Sequence, residues 1–170
     1  MEPSLQAQRA SVERQKRSAG PKPLPDPTPR TVSSALQPCA PIAAPELSRL
    51  IESSARDQGV NPSLIREVAR QESAFHPCAV SPAGAEGLMQ LMPSTQALFQ
   101  VDDPFNPRQS IDAGTRLLRQ LLDRYKGDLT RAFGAYNAGA STVDQAGGVP
   151  EIPETREYVR DIMLRLANPK

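Results

Sequence analysis

A single carboxylate, Glu72, stands where the helical pattern predicts an apolar face. Leu64 and Val68 precede it by eight and four residues, so the three side chains share one side of a helix that advances roughly 100° per residue. Burial disfavours the ionised form of a carboxyl group and raises its pKa, which makes Glu72 a candidate general acid near neutral pH. A buried ion pair with an arginine is the structural alternative, and periodicity alone favours neither.

The helix that would carry this carboxylate has a recognisable start. Asn61 can cap it with a side-chain oxygen, and Pro62 suits the first helical position because a proline has no N–H to leave unpaired there. The sequence then continues to Ala74 without proline or glycine, which predicts a helix over residues 62–74. Glu72 lies near the predicted end, so a frayed end that returns it to water is a further alternative.

Short helices also account for the rest of the domain, and no strand pattern competes with them. Asn106 and Asp128 are typical helix starts, while Gly59, Gly127 and Gly139 are typical helix stops. The other predicted helices are Glu46–Gln58, Pro93–Gln100, Pro107–Lys126, Leu129–Asn137 and Pro153–Ala167. The pattern predicts an all-α fold.

The first 44 residues differ from the rest in composition. They contain few aliphatic residues, and prolines alternate with other residues from Pro21 to Pro29, which favours an extended polyproline II chain. We therefore expect a Pro-rich disordered tail or linker over residues 1–44 and one catalytic domain over residues 45–170. A ligand for an SH3-type domain is the alternative to a spacer.

Charge and hydropathy narrow the classes of partner. The chain has 20 Lys and Arg against 19 Asp and Glu, a formal net charge of +1, so no basic footprint predicts a nucleic-acid partner. Its apolar runs fall far short of the roughly 18 residues that a membrane span needs. We expect no membrane span, no nucleic acid and a monomer.

Four sequence blocks in a fixed order carry a family resemblance. They are Glu72-Ser73, Ser81–Pro93, Ala135–Gly139 and Glu154–Val159. With its S-x-x-G-A-x-G-L-M-Q-x-M-P and A-Y-N-A-G patterns, the chain resembles the catalytic domain of the soluble lytic transglycosylase (SLT) family. Four ordered blocks are far more specific than a lone glycine motif. The resemblance implies a goose-type lysozyme-like fold, which agrees with the predicted helices, and peptidoglycan as substrate.

The resemblance also implies a mechanism that uses one carboxyl group and no cofactor. Glu72 would protonate the oxygen between N-acetylmuramic acid and N-acetylglucosamine. It would then accept the proton of the muramoyl C6 hydroxyl, which attacks C1 and closes a 1,6-anhydro ring without water. A group with both roles works best when its pKa lies near the operating pH.

Most glycosidases need a second carboxylate, and the sequence marks none. The acidic residues available for this role are Asp102, Asp103, Asp112 and Asp123. None belongs to a local pattern that points to catalysis. The family resemblance removes the need for one, since these enzymes are understood to use the substrate's own N-acetyl group to stabilise the cationic centre.

The loop block supplies candidate substrate-binding residues. Gly84 and Gly87 would let the backbone approach the sugar, because glycine has no Cβ to collide with it; an ordinary loop is the alternative. By resemblance, Ser81 would hydrogen-bond the N-acetyl group or Glu72, although a serine before a proline is often only a turn residue. Gln90 can donate and accept, which suits an acetamido or hydroxyl contact.

Two methionines and two tyrosines complete the candidate set. Met89 and Met92 could line a sugar face or fill the core, and we favour the cleft for Met89 and the core for Met92. Tyr136 and Asn137 match the family's cleft tyrosine and asparagine, although Tyr136 could equally be a core residue. Periodicity places Tyr158 in the core, whereas the resemblance implies that it reaches the active site.

The two cysteines allow one intramolecular pairing. A disulfide between Cys39 and Cys78 would tie the tail to the loop after the catalytic helix and would suit an oxidising periplasm; two free thiols are the alternative. His76 lies nearby, but too few ligands surround it in sequence for a zinc site. No metal is expected.

Two positions depart from the family pattern. Ser110-Ile111 stands where the family often has Asn-Ile, and Leu117 replaces a frequent tyrosine. These changes put one polar contact and local helix packing in doubt. The catalytic block is intact.

The resemblance implies a periplasmic or extracellular site of action, at the cell wall. Residues 1–20 nevertheless lack the apolar stretch of a secretory signal. A truncated chain, a misassigned first Met or a dedicated secretion machine would each explain this.

The sequence therefore predicts a peptidoglycan lytic transglycosylase. Three alternatives stay open. They are a hydrolytic lysozyme that uses Glu72 with a water nucleophile, a wall-binding module without catalysis, and a helical interaction protein, which would leave the four ordered blocks unexplained.

Overall fold

A computed structural model describes residues 39–168, and this part of the chain is built from helices. Its seven helices are α1 Ala44–Gln58, α2 Pro62–Ser73, α3 Pro93–Phe99, α4 Pro107–Arg124, α5 Leu129–Ala138, α6 Ala140–Ala146 and α7 Pro153–Ala167. Over the same residues the only β pairing is two isolated bridges, Val80 with Glu86 and Glu86 with Leu91. The all-α prediction is confirmed. Residues 1–38 of the expected tail lie outside the described residues.

The predicted helix starts are formed by the expected caps. The side chain of Asn61 accepts the N–H of Ser63, and Asp128 likewise accepts the N–H of Arg131. Proline occupies the start of five helices, and each predicted helix ends within two residues of its expected boundary. Local capping chemistry therefore sets most of the helix boundaries.

Helix α6 was not expected, because Gly139 was interpreted as the end of helical structure. Gly139 does end α5, at φ +87°, but the chain turns there and forms seven further helical residues. Tertiary contacts hold this short helix. The carboxylate of Asp144 pairs with Arg124 and accepts the hydroxyl of Tyr125, both from the end of α4.

The hydrophobic core lies between the long helices. α4 packs against α1, α2 and α5, while α7 packs against α2 and α5. Each long helix contributes a fully buried side chain, and these are Ile51, Ile65, Leu118, Phe133 and Ile162. Over residues 39–168, none of the helices combines the length and the apolarity that crossing a bilayer requires. The packing of α7 on α2 brings residues near the two ends of the domain together.

A disulfide joins Cys39 to Cys78, with Cα atoms 5.9 Å apart, so of the two alternatives that the sequence left open the bonded one is present. Beside it, the N–H of Ile42 donates to the carbonyl of Phe75 at 2.9 Å. The segment before α1 is thus fastened to the loop that follows α2.

Candidate active site

Glu72 is the penultimate residue of α2 and is partly buried where α2 meets α7. Directly after it the backbone leaves the helix through two left-handed residues, Ala74 at φ 48° and Phe75 at φ 68°. Within residues 39–168 no basic side chain pairs with Glu72, and Arg165 on α7 pairs with Glu67. The ion-pair explanation for its burial therefore does not hold among these residues.

The environment of Glu72 favours its protonated form. Burial raises its pKa to about 7 from the ordinary value of 4.5, and the negative charge of Glu154 adds to the rise. A hydrogen bond from Tyr158 opposes this by lowering the pKa. Near neutral pH the group is thus present in both forms, which suits a residue that must donate and accept a proton.

Two tyrosines on different helices have their hydroxyl groups in the region of Glu72. Tyr158 of α7 is 4 % exposed, and its hydroxyl donates to Oε1 of Glu72 at 2.7 Å. Tyr136 of α5 donates to the carbonyl of Met89 at 2.9 Å. Burial, and then the charge of Glu72, raise the pKa of both tyrosines well above the usual value. Both remain neutral hydrogen-bond donors at physiological pH.

Hydrogen bonds within the glycine-containing loop hold its shape. Nε2 of Gln90 donates to the carbonyls of Ala79 and Gly87, at 3.1 and 2.9 Å. Oγ of Ser81 accepts the N–H of Ala85 at 3.0 Å, while its carbonyl accepts the N–H of Gly84. Gln90 and Ser81 therefore hold the loop through these atoms, and Oε1 of Gln90 accepts no hydrogen bond from the residues described.

The prediction for the two methionines is wrong. Met89 is fully buried rather than in the cleft, and Met92 is 42 % exposed rather than in the core. The side chain of Met89 lies against the backbone of Gly114 on α4, where an added Cβ would come within 2.7 Å of it. Only the backbone of Met89 is available to the site, through the carbonyl that Tyr136 contacts.

The predicted reason for a glycine at position 87, close approach of the backbone to a sugar, is also wrong. Gly87 is buried, and a Cβ there would lie 2.0 Å from the carbonyl oxygen of Pro104. The missing side chain makes room for the chain before α4, not for a sugar. Gly84, by contrast, faces open space, since a Cβ at that position would meet nothing within 4 Å.

Side-chain hydroxyls fasten this loop to two helices. Oγ of Ser73, the last residue of α2, donates to the carbonyl of Leu88 at 2.9 Å. Oγ of Ser110 on α4 accepts the N–H of Met89 at 3.1 Å. Ser110 thus supplies a polar contact at the position where the sequence departs from the family pattern.

Asn137 has a buried partner that sequence reasoning missed. The hydroxyl of Thr155, a residue 1 % exposed on α7, donates to Oδ1 of Asn137 at 2.7 Å. Because Oδ1 accepts this buried hydrogen bond, the NH₂ group of Asn137 is the part of the amide that is free to donate elsewhere. The signal was present in the fourth motif block, where Thr155 stands between Glu154 and Tyr158.

Glu154 is the second residue that sequence reasoning missed. It lies in the first turn of α7, four residues before Tyr158, so both side chains start from the same face of that helix. Glu154 is exposed, and its charge raises the pKa of Glu72.

Across residues 39–168 no three His, Cys, Asp or Glu side chains cluster as metal ligands.

The family model and the relatives that match this chain are all described as transglycosylases. The family model described as "Transglycosylase SLT domain" matches residues 49–159. A "Transglycosylase" of Enterobacteria phage PRD1 is 36 % identical over 118 residues, which cover 69 % of this chain and 43 % of the phage protein. A "Soluble lytic murein transglycosylase" of Salmonella typhimurium is 34 % identical over 131 residues, covering 64 % of this chain and 20 % of its own.

Solved structures of lytic transglycosylases also superimpose on this chain. An inactive mutant of the lytic transglycosylase Slt from Pseudomonas aeruginosa superimposes with a TM-score of 0.61 at 29 % identity, over 72 % of this chain and 24 % of that one. A 70 kDa soluble lytic transglycosylase in complex with bulgecin A gives 0.63 at 26 % identity, over 72 % and 24 %. The chain thus spans less than half the length of these relatives.

Proposed function

This chain belongs to the transglycosylase SLT family, and we propose that it is a peptidoglycan lytic transglycosylase. It would cleave the β-1,4 bond between N-acetylmuramic acid and N-acetylglucosamine without water and leave 1,6-anhydromuramic acid ends. Residues 45–170 would form the catalytic domain, preceded by a linker. The names of the relatives, lytic murein transglycosylases, support this substrate class.

The observation that carries the proposal is the state of Glu72. Its pKa of about 7 leaves part of the carboxyl group protonated at neutral pH, so it can give its proton to the glycosidic oxygen as the C1–O bond breaks. The carboxylate that results then takes the proton of the C6 hydroxyl. The C6 oxygen bonds to C1, so the proton count on Glu72 returns to its starting value and no water is consumed.

Tyr158 supports the ionised stage of this cycle. Its hydroxyl donates to Oε1 of Glu72, so it stabilises the carboxylate that exists between the two proton transfers. The buried environment acts in the opposite direction and favours the acid. Together they keep the two forms of Glu72 close in free energy, as a two-role group requires.

The candidate residues can hold a substrate rich in acetamido and hydroxyl groups. Asn137 offers N–H donors, while Gln90 offers an acceptor oxygen. Tyr136 offers a flat ring beside Glu72. We assign these three residues to the glycan cleft, with Ser81 shaping its loop. The enzyme would act as a monomer in the periplasm or outside the cell, where the relatives' substrate, murein, lies.

Glu154 supports a second candidate function, a hydrolytic muramidase. A second carboxylate near the acid could activate a water molecule in an inverting hydrolysis or act as the nucleophile in a retaining one. The position of Glu154 one turn before Tyr158 makes it a candidate for that role. We favour the transglycosylase because the family match covers residues 49–159 and the relatives carry that name.

The experiment digests purified peptidoglycan and identifies the released ends by mass spectrometry. Wild type should release anhydro ends, Glu72→Gln should release none, and Glu154→Gln should keep most of the activity. Glu157→Gln is the matched control, since Glu157 is another exposed glutamate on α7. Reducing ends that disappear in Glu154→Gln would establish the hydrolase instead. No product from folded wild type would refute both enzymes.

A further inference from the structure

A cavity of about 690 Å³ lies mainly on the side of α2 that faces away from Glu72. Ser63, Arg66, Glu67 and Arg70 line it at the spacing of a single helical face. Arg70 precedes Glu72 by two residues, which places the two side chains roughly 160° apart around the helix. The residues that close the cavity come from the end of α7 and the start of α5, and they are Arg165, Leu166 and Leu129. The cavity is therefore separate from the candidate active site.

The lining side chains carry an excess of positive charge. Three are arginines, and Glu67 is the single acidic residue among them. Arg165 binds Glu67 through Nε at 2.7 Å and Gln71 through Nη2 at 2.5 Å, while Arg70 lies 3.5 Å from the same carboxylate. Arg70 and Arg165 thus share the charge of Glu67, while no carboxylate among the described residues pairs with Arg66.

Contacts with the protein hold these guanidinium groups in place. Nη2 of Arg66 donates to Oγ of Ser48 on α1 at 3.0 Å. The guanidinium of Arg70 lies over the ring of Phe75, 5.3 Å from its centre. An arginine that is held by other partners loses less conformational entropy when it binds a carboxylate, and its planar fork can bind both oxygens.

The remaining lining residues favour a ligand larger than a simple anion. Leu64, Leu129 and Leu166 form an apolar wall, and Asn168 adds a side-chain amide. The volume is within the range of cavities that enclose drug-sized ligands. A small anion would use the arginines but leave the leucines uncovered. A peptide with acidic and aliphatic side chains would contact both and could hydrogen-bond its backbone to the amide.

We propose that this cavity binds an acidic peptide, with a carboxylate on Arg66 and an aliphatic side chain on the leucine wall. The site is distinct from the glycan cleft and does not depend on the proposed reaction. It gives the domain a second binding surface, through which an acidic segment of a partner protein would hold it in place.

Titration measures binding directly. The probe is the acetylated and amidated tripeptide Leu-Glu-Glu, its neutral counterpart is Leu-Gln-Gln, and amide chemical shifts of the labelled protein report the site. Leu-Glu-Glu should shift the amides of Arg66, Leu129 and Leu166 and bind at least about tenfold more tightly than Leu-Gln-Gln. Arg66→Gln should weaken binding by about the same factor.

Controls separate this site from the cleft and from a general effect of charge. Arg108→Gln removes an exposed arginine of α4 that pairs only with Asp112, and Glu72→Gln removes the proposed catalytic group; both should bind Leu-Glu-Glu as wild type does. If Arg66→Gln does not fold, Arg66→Lys keeps the charge without the fork and should still weaken binding. Equal binding of the two peptides, shifts centred on Tyr136 and Tyr158, or full displacement by equimolar phosphate would overturn the proposal.

Discussion

The hydroxyl of Tyr158 lies 2.7 Å from Oε1 of Glu72, although 86 residues separate them in the sequence. The bond joins α7 to the last turn of α2. About two turns further along α7, Arg165 binds Glu67 and Gln71 of α2. The position of Glu72 is therefore set by the packing of α2 on α7 as well as by its own helix.

Removing the Tyr158 hydroxyl should change the pH dependence of catalysis. The hydrogen bond lowers the pKa of Glu72, so in Tyr158→Phe that pKa rises above about 7. The acid then stays protonated to higher pH, and the alkaline limb of the kcat/KM profile should move up by about one pH unit. kcat should fall about tenfold, because the carboxylate formed during the reaction loses its donor.

The pH profile itself provides the measurement, recorded from the rate of glycan release. Tyr125→Phe is the matched control, since its hydroxyl contacts Asp144 and the carbonyl of Ala140, away from Glu72. An alkaline limb that stays in place in Tyr158→Phe would show that the bond does not act on the acid.

Glu72 should lower the stability of the protein at neutral pH. Its pKa is 4.5 unfolded and about 7 folded, so between these values the folded state holds the extra proton. Stability contributed by this group is complete below pH 4.5 and is lost as pH rises through 7, by on the order of 3 kcal/mol.

Glu72→Gln cannot ionise and should escape this loss. Its free energy of unfolding should exceed that of wild type at pH 8 and match it more closely at pH 4.5, as urea unfolding at several pH values would measure. A difference between the two proteins that does not change with pH would contradict the raised pKa. The expected pH-dependent gain in stability of Glu72→Gln would show that the native residue lowers stability at a position proposed for catalysis.

Helix boundaries followed from the sequence because they depend on neighbouring residues. The side-chain oxygen of Asn61 caps α2 by accepting the N–H two residues ahead, and that of Asp128 caps α5 by accepting the N–H three residues ahead. Helix α6 could not be expected in this way. Asp144 is held by Arg124 and Tyr125 from another helix, and no local pattern encodes such contacts.

The candidate site likewise combines features that the local sequence predicts with features that depend on tertiary contacts. The apolar spacing before Glu72 indicated burial, and the motif indicated Tyr158. Which methionine faces the core depends on where Gly114 leaves space on α4, so periodicity in a loop could not decide between Met89 and Met92. Glu154 was missed for a similar reason, since its influence on Glu72 exists only once α7 packs on α2.

Thr155 should act as a positioning residue for Asn137. In Thr155→Val the buried hydroxyl is replaced by a methyl group of similar size, and Oδ1 of Asn137 loses its donor. The amide is then free to rotate, so KM should rise roughly two- to tenfold while kcat changes less.

Thr155→Ser keeps the hydroxyl and should restore KM, which separates orientation from packing. Steady-state kinetics on a defined soluble glycan would measure both constants. If Thr155→Ser and Thr155→Val raise KM equally, the methyl group of Thr155 and not its hydroxyl is the important part.

The residue that ends the catalytic helix offers a route to higher stability. Ala74 adopts φ 48°, a left-handed conformation that costs free energy for any residue with a Cβ. Ala74→Gly should raise the free energy of unfolding by about 0.5–1 kcal/mol, measured by urea unfolding. Gly147→Ala is the opposite change, at φ 69° after α6 with open space around it, and should lower stability by about 1 kcal/mol. A loss of stability in Ala74→Gly would contradict this reasoning.

The bridge between Cys39 and Cys78 makes the state of the protein depend on where it is produced. In the cytosol of most bacteria, thiol reductants would keep both cysteines reduced, and the loop after Glu72 would retain its hydrogen bond from Ile42 but no covalent link. A newly synthesised chain would thus be looser beside its acid than an oxidised one. Preparations from a reducing host would need an oxidation step before they carry the bridge that the structure shows.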